Sequence, residues 1–318
     1  MAQLVNMKTK LDADDLNLFS LAKEYADERK AIALFESMRW PGGKPICPHC
    51  KFDEAYTLTS KPTTKNKIRP GTYCCAACRK KFTATVGTVF ESSHVPISKW
   101  LMAIFILCSS KKSISAAQLS RMLKTTYKTA WFMAMRVRHA MATDLKTANK
   151  LDNVCEADES FFPSFEHPEV KTCLALILER DGQARTRVIA SVTAKNIGKF
   201  LNESVSKTAT VNTDEHAAYK APLKEYARHD RVNHSQYEYA RHNADGTVSH
   251  VNTGESFFSL IKRGVFGAWH CISAEHLPKY ASEFEFRWNH RKVTDGQRMA
   301  NFVPMIDGKR LYYRQPAN

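Results

Sequence analysis

"VCEADESFF", residues 154–162, marks the point at which the pattern of the chain changes. Ahead of it, apolar residues recur every three or four positions, as on helices. From Val154 they form short runs, and "VCEADESFF", "KTCLALILER" (171–180) and "TRVIASVTA" (186–194) read as β-strands. The last two are separated by the turn "RDGQ" at 180–183. Three acids, Glu156, Asp158 and Glu159, nevertheless sit inside the first run. A carboxylate in an apolar strand costs free energy unless a basic partner, a capping role or a metal ion meets it. Alternation puts Val154, Glu156, Asp158 and Ser160 on one face, with Glu159 on the other.

Working outward, residues 12–39 have helical spacing and are stopped by "PGGKP" at 41–45. Residues 98–110 and 113–143 are also helical, the second stretch interrupted near "LKTTYKT". Beyond the strands, "NIGKFLNESV" (196–205) reads as a short helix and "ATVNTD" (209–214) as a further strand. A His- and Tyr-rich stretch at 226–250 is less regular. Helices over about 254–263 and 273–292 close the pattern, which shows no internal repeat.

The chain has 318 residues with 43% hydrophobic content, enough for two or three compact units. The longest apolar run, "WLMAIFILC" at 100–108, is far short of the roughly 18 residues that span a bilayer. The N-terminus lacks the apolar centre of a secretion signal. A soluble, cytoplasmic protein with no membrane partner is expected. Lys and Arg number 47 against 32 Asp and Glu, a net charge of +15, which suits a polyanionic partner such as DNA or RNA. Between Pro96 and Lys150 there are ten Lys or Arg and one Asp, so the nucleic-acid footprint is expected there.

Five of the nine cysteines fall between Cys47 and Cys78. Cys47-Pro-His-Cys50 and Cys75-Ala-Ala-Cys78 are two knuckles separated by residues 51–74, the ligand pattern of a closed, structural Zn²⁺ site in a zinc ribbon. Cys74 lacks the knuckle spacing, and His49 reads as a surface residue. Zinc would act as a fold element, since so short a segment has little core.

"SISAAQLSRMLKTTYKTAWFMAMRVRHAM" (113–141) reads as helix, short turn, helix. Ala117, Leu119 and Leu123 form one apolar face; Trp131, Met135 and Val137 form the next. In a helix-turn-helix, Thr126, Tyr127 and Lys128 would open the recognition helix, and Arg136 and Arg138 would reach phosphates. An ordinary helical hairpin with a solvated basic face fits the same spacing.

Two further acids stand at element ends. Asp214 closes a β-run in "ATVNTDEHAAY" (209–219), where it can also be a helix N-cap. Glu255 lies in the first helical turn of "HVNTGESFFSLIKRGVFG" (250–267), where a carboxylate complements the helix dipole. Lys262 follows seven residues later on the same face. An acid in a central strand, one ending a later strand and one on a following helix can converge at one end of a sheet. Such a set of hard oxygen donors suits Mg²⁺ or Mn²⁺.

The order of zinc ribbon, helix-turn-helix and acidic β-rich core resembles the insertion-sequence transposases of the DDE type with an N-terminal zinc ribbon and an ISXO-like integrase core. The pieces that carry the resemblance are "CPHC", "CCAACRKKFTATVGTVFESSHVPISKW", "AWFMAMRVR", "EADESF", "NTDEHAAY", "HVNTGESFFSLIKRGVFGAWH" and "YASEFEFRWNHR". The resemblance implies an α/β fold, an RNase H-like mixed-sheet core preceded by zinc ribbon and helix-turn-helix. It implies an N-terminal helical segment at 1–40, the ribbon at 41–92, the DNA-binding region at 93–150, the catalytic core at 151–295 and a tail at 296–318. It further implies Asp158, Asp214 and Glu255 as the Mg²⁺ or Mn²⁺ ligands, Lys262 as a basic residue on the DNA backbone, and Asn252 as an auxiliary group. The expected activity is metal-dependent cleavage at element ends and 3′-OH strand transfer. The expected partners are the terminal inverted repeats, target DNA and further copies of the chain, on a bacterial nucleoid. A DNA-binding regulator without catalysis, or a nuclease without strand transfer, shares part of this constellation.

Overall fold

The computed structural model describes residues 13–60, 65, 67–163, 169 and 171–312. Asp12, where the first helical stretch was expected to begin, and the end of the C-terminal segment, 313–318, lie outside them. The chain forms two compact units, one of residues 1–109, 119–140 and 292–318, the other of residues 110–118 and 141–291.

In the first unit the helical stretch expected over 12–39 is broken into α1 (Leu18–Glu24) and α2 (Glu28–Arg39). Two local caps break it. Asn17 and Ser20 form a capping box on α1, and Asp27 accepts from the Arg29 and Lys30 backbone N–H groups to start α2. Three short antiparallel strands follow in the order β1 (Ala55–Thr57), β2 (Thr72–Cys75) and β3 (Lys81–Thr83). An aromatic cluster compensates for their small core: the Tyr73 ring lies 5.6 Å from Phe82 and 5.8 Å from Trp40. Helix α3 (Ile97–Ser109) is apolar around most of its circumference and correspondingly buried. The Glu28 carboxylate caps it, accepting from Ile97 N at 2.8 Å and Ser98 N at 3.1 Å. Helices α4 (Ala116–Leu123) and α5 (Tyr127–Met141) follow. Leu119 and Leu123 are buried as expected, whereas Ala117 is exposed.

The second unit is built on strands β4 (Val154–Pro163), β5 (Lys171–Glu179) and β6 (Ala184–Ile189), helix α6 (Ala194–Ser204), and strands β7 (Thr210–Thr213) and β8 (Arg228–Arg231). The sheet order is β6-β5-β4-β7-β8. Strands β4, β5 and β6 are antiparallel neighbours, while β7 runs parallel to β4 and β8 parallel to β7. The architecture is the expected mixed sheet of an α/β protein. Cys155 and Ala157 of β4, with Ala175 and Ile177 of β5, pack against Ile197, Phe200 and Leu201 of α6 in one apolar core. Truncating the buried Phe200 would cost about 3–5 kcal/mol. Strand β6 ends at Ile189, earlier than expected, because Thr193 leaves the sheet to cap α6, its side chain accepting from Asn196 N.

A small antiparallel pair, β9 (Ala240–His242) and β10 (Val248–His250), leads into α7 (Asn252–Gly264), a π-helical turn at Val265–Trp269 and α8 (Leu277–Asn289). Pro278 sits in the first turn of α8 and delays its start relative to the expected Ser273. A further helix, α9 (Asp295–Phe302), belongs to the first unit and occupies what was expected to be a tail. Thr294 and Gln297 form its capping box. Among the described residues, no helix is long and apolar enough to cross a membrane.

Candidate functional site

Strands β4 and β7 run side by side and in the same direction, their last registered pair being Glu156 with Asn212. Asp158 and Asp214 each lie two residues further along, so topology brings both acids to one end of the two strands. The chain turns away from the sheet immediately after Asp214, whose Oδ1 accepts from His216 N at 3.0 Å. Helix α7 begins over the same end of β4. A Cβ built on Gly254 would lie 3.6 Å from Asp158 Cβ and 3.7 Å from its Oδ2, so Glu255 follows a residue packed directly on Asp158.

Burial, reinforced by the carboxylates of Glu159, Asp214 and Glu255, pushes the Asp158 carboxyl up to about 7. The Glu159 backbone N–H opposes this by donating to Asp158 Oδ1 at 2.8 Å. Asp158 is therefore within electrostatic reach of each of these acids. Among the described residues, however, only the four cysteines form a group of three or more such ligand atoms within 4.8 Å of one another. Glu255 is half exposed, 3.9 Å from His234 Nδ1. Lys262 is exposed, about two turns further along α7.

Asn252 is exposed at the first position of α7, and Val251, the residue at the cap position, provides no side-chain hydrogen bond. The cap comes from Glu156, which is fully buried. Its carboxylate accepts from the backbone N–H groups of Thr253 (2.9 Å) and Gly254 (3.0 Å) and from the Thr253 hydroxyl (2.9 Å). Arg180 donates to it at 2.9 Å, and His250 Nδ1 lies 3.1 Å away. Thus the sequence left Glu156 with three possible roles, and the fold gives it two, basic partner and helix cap. The spacing of residues 154–162 contains no trace of this bond across the sequence. A buried acid two residues before Asp158 on the same face was the one available signal.

Glu159 faces the other side of β4, where the buried Tyr219 hydroxyl donates to it. Burial raises its carboxyl above the ordinary range, and the nearby Asp214 adds to this.

Cys47, Cys50, Cys75 and Cys78 form the compact thiol group, with Sγ separations of 3.7 Å for Cys47–Cys78 and 3.5 Å for Cys50–Cys75. The four soft donors fit a structural Zn²⁺. The Cys78 backbone N–H points at Cys75 Sγ at 3.5 Å and holds that thiol down to about 7, which favours the thiolate a metal requires. Cys74 lies outside the group, its thiol turned to the Arg79 carbonyl, and His49 is exposed.

At the α4–α5 junction Thr126 caps α5, accepting from Thr129 N at 3.2 Å, and Tyr127 and Lys128 are exposed in its first turn. Arg136 is half buried, its guanidinium over the Phe132 ring at 4.6 Å. Arg138 departs from expectation. It is 2% exposed with its guanidinium against Met135 Sδ, so it belongs to the core and not to a phosphate-facing surface.

Comparison with known proteins adds two domain matches. Residues 26–81, which include all four cysteines, match the transposase zinc-ribbon domain. Residues 164–289, which include Asp214, Glu255 and Lys262 and begin just after Asp158, match the ISXO2-like transposase domain. An uncharacterized protein in transposable element ISH50 of Halobacterium salinarum (strain ATCC 700922 / JCM 11081 / NRC-1) is 27% identical over 289 residues, 83% of this chain and 92% of that one. A solved chain from the simian T-cell lymphotropic virus intasome in complex with PP2A regulatory subunit B56 gamma shares 10% identity over 57% of this chain and 69% of that one. Its TM-score is 0.28, too low to bear on the fold.

Proposed function

Because the chain carries a transposase zinc ribbon and an ISXO2-like transposase domain, we propose that it is a DNA transposase of the DDE type with Asp158, Asp214 and Glu255 as its acidic triad. The observation that carries this proposal is topological: parallel β4 and β7 bring Asp158 and Asp214 to one end of the two strands, and Gly254, the neighbour of Glu255 on α7, packs against Asp158. The core is proposed to be RNase H-like. Three hard-oxygen carboxylates, one of them buried, fit Mg²⁺ or Mn²⁺. A divalent cation bound there supplies Lewis acidity and a lowered pKa for bound water.

The residues of the chain then have separate tasks. Asp158 must lose its proton to act as a ligand, Glu156 fixes the start of α7 over it, and Lys262 offers a cation to the DNA backbone. In the proposed reaction, water breaks one P–O bond at an element end and leaves a 3′-OH. That hydroxyl then forms a new P–O bond with a target phosphorus as the target's own 3′-oxygen departs. No covalent protein–DNA intermediate is required. The zinc ribbon, Thr126, Tyr127, Lys128 and Arg136 are proposed to bind the terminal inverted repeats, with α4 and α5 as a helix-turn-helix. Several copies would assemble to hold two ends and a target in the cytoplasm, on the nucleoid.

The test is incubation of purified protein with labelled element-end DNA and Mg²⁺ or Mn²⁺. Cleavage with a free 3′-OH and joined products support the proposal. Cleavage without joining indicates a nuclease, and binding without cleavage indicates a regulator.

A further inference from the structure

Tyr237 and Tyr239 are among the most exposed aromatic side chains of the second unit, at 83% and 52%. Tyr237 is also held at φ 59°, ψ 21°, a left-handed conformation that costs free energy for any residue other than glycine and is a genuine outlier for a bulky one. Folding alone would favour Gly or Asn there. Strain of this kind persists where the surroundings fix it, and it concentrates at functional positions.

The surroundings do fix it. The Glu215 carboxylate accepts from His234 N at 3.0 Å and Ser235 N at 3.2 Å, as well as from the Ser235 hydroxyl. Tyr237 N donates to the His234 carbonyl at 3.0 Å, and Asn233 N donates to Glu238 at 3.0 Å. The His234 ring packs on Tyr239 with centroids 5.4 Å apart. Both anchors of this turn lead to the acids: Glu215 adjoins Asp214 in sequence, and His234 Nδ1 lies 3.9 Å from Glu255. A turn pinned by Glu215 thus carries two solvent-facing aromatic rings, and Glu215 and His234 tie that turn to the neighbourhood of Asp214 and Glu255. Exposed Arg231 is close in sequence, and Lys262 and Arg263 are exposed along α7, so the cations needed for a phosphate backbone are present.

We propose that Tyr237 and Tyr239 form a stacking platform for unpaired bases of the DNA strand whose end is processed at Asp158, Asp214 and Glu255. The proposal rests on the transposase assignment and deepens it by naming the state of the DNA at the site, a locally opened end. Aromatic stacking tolerates any sequence, because every base presents a π-face, whereas phosphate contacts would hold a paired end equally well. The discriminating substrate is therefore a duplex with a splayed end.

Full-length protein is titrated in Ca²⁺ with a forked duplex carrying 2-aminopurine at its splayed positions, and with the fully paired duplex of the same sequence. Tyr237→Ala and Tyr239→Ala are each expected to weaken the forked complex on the order of ten-fold. Binding of the paired duplex should change little, and Tyr239→Phe should bind as wild type. Wild-type protein should quench 2-aminopurine, and Tyr237→Ala, which keeps Tyr239, should quench it less. Tyr237→Gly relieves the left-handed strain, so it should melt no lower than wild type while still losing the forked-end preference. This separates stacking from misfolding. Equal losses on both duplexes, or no loss on either, would overturn the proposal. Failure of the transposase assignment looks different: wild-type protein would leave element ends uncut in Mg²⁺ whatever its preference for forked DNA.

Discussion

Oε2 of Glu156 lies 3.0 Å from the backbone nitrogen of Gly254, so a buried strand carboxylate caps a helix 98 residues later in the chain. The first N–H groups of a helix have no partner within it, and an anion there also meets the positive end of the helix dipole. Because Arg180 and His250 face the same carboxylate, removing it leaves buried donors without an acceptor. Glu156→Ala should destabilise the protein by about 3–5 kcal/mol, and Glu156→Gln, which keeps the shape but loses the charge, by less. Urea unfolding followed by tryptophan fluorescence measures both. An Ala variant as stable as wild type would contradict the capping role.

A pH dependence follows from Asp158. Its carboxyl stands at about 7 in the folded chain against 3.8 for an ordinary aspartate. Between these values the folded state holds a proton that the unfolded state has released, so stability falls as pH rises through the window. The penalty is absent below about 3.8 and complete above about 7. In metal-free buffer at pH 8, Asp158→Asn should be more stable than wild type, by at most about 4 kcal/mol at about 1.36 kcal/mol per pKa unit. The advantage should fade toward pH 4. Paired melting curves at the two pH values test this, and Mg²⁺ should stabilise wild type more than the Asn variant.

The cysteine group gives a separable expectation. Purified protein should contain one zinc ion per chain. Cys47→Ser or Cys75→Ser should lose it and loosen the ribbon, because the metal ties together two knuckles separated by residues 51–74. Cys74→Ser should retain it, its thiol facing the Arg79 carbonyl and not the group. Metal analysis and limited proteolysis provide the readouts.

Arg138 and Lys128 should behave in opposite ways. Lys128 is exposed at the start of α5, and its loss should weaken DNA binding about uniformly across sequences and reduce the salt slope by about one. Arg138 is buried, so Arg138→Ala should lower the melting temperature and leave the salt slope of the folded fraction unchanged. A salt titration of both variants distinguishes them.

These contrasts show which parts of the molecule were legible in its sequence. The cysteine knuckles were, because a metal constrains residues three apart and that spacing survives in one dimension. The faces of β4 were too, because alternation places Cys155 and Ala157 against α6 and leaves Glu156 and Asp158 on the side of α7. The bond from Glu156 to α7 was not, since it joins elements whose proximity only the fold creates. Arg138 was not legible for a related reason: basic residues usually face solvent, and only the fold buries this one to 2% exposure. The break between α1 and α2 lay within reach, as Asp27 followed by Arg29 and Lys30 is a local N-cap that helical spacing alone overlooks.

The most direct measurement of the central claim is cleavage of labelled element-end DNA in Mg²⁺ by wild type and by Asp158→Ala, Asp214→Ala and Glu255→Ala, with binding measured in parallel on the same DNA. Loss of at least about a thousand-fold in cleavage is expected for each variant, a loss of roughly 4 kcal/mol in transition-state stabilisation, with binding largely retained. Cleavage by Asp158→Ala at the wild-type rate would contradict the assignment.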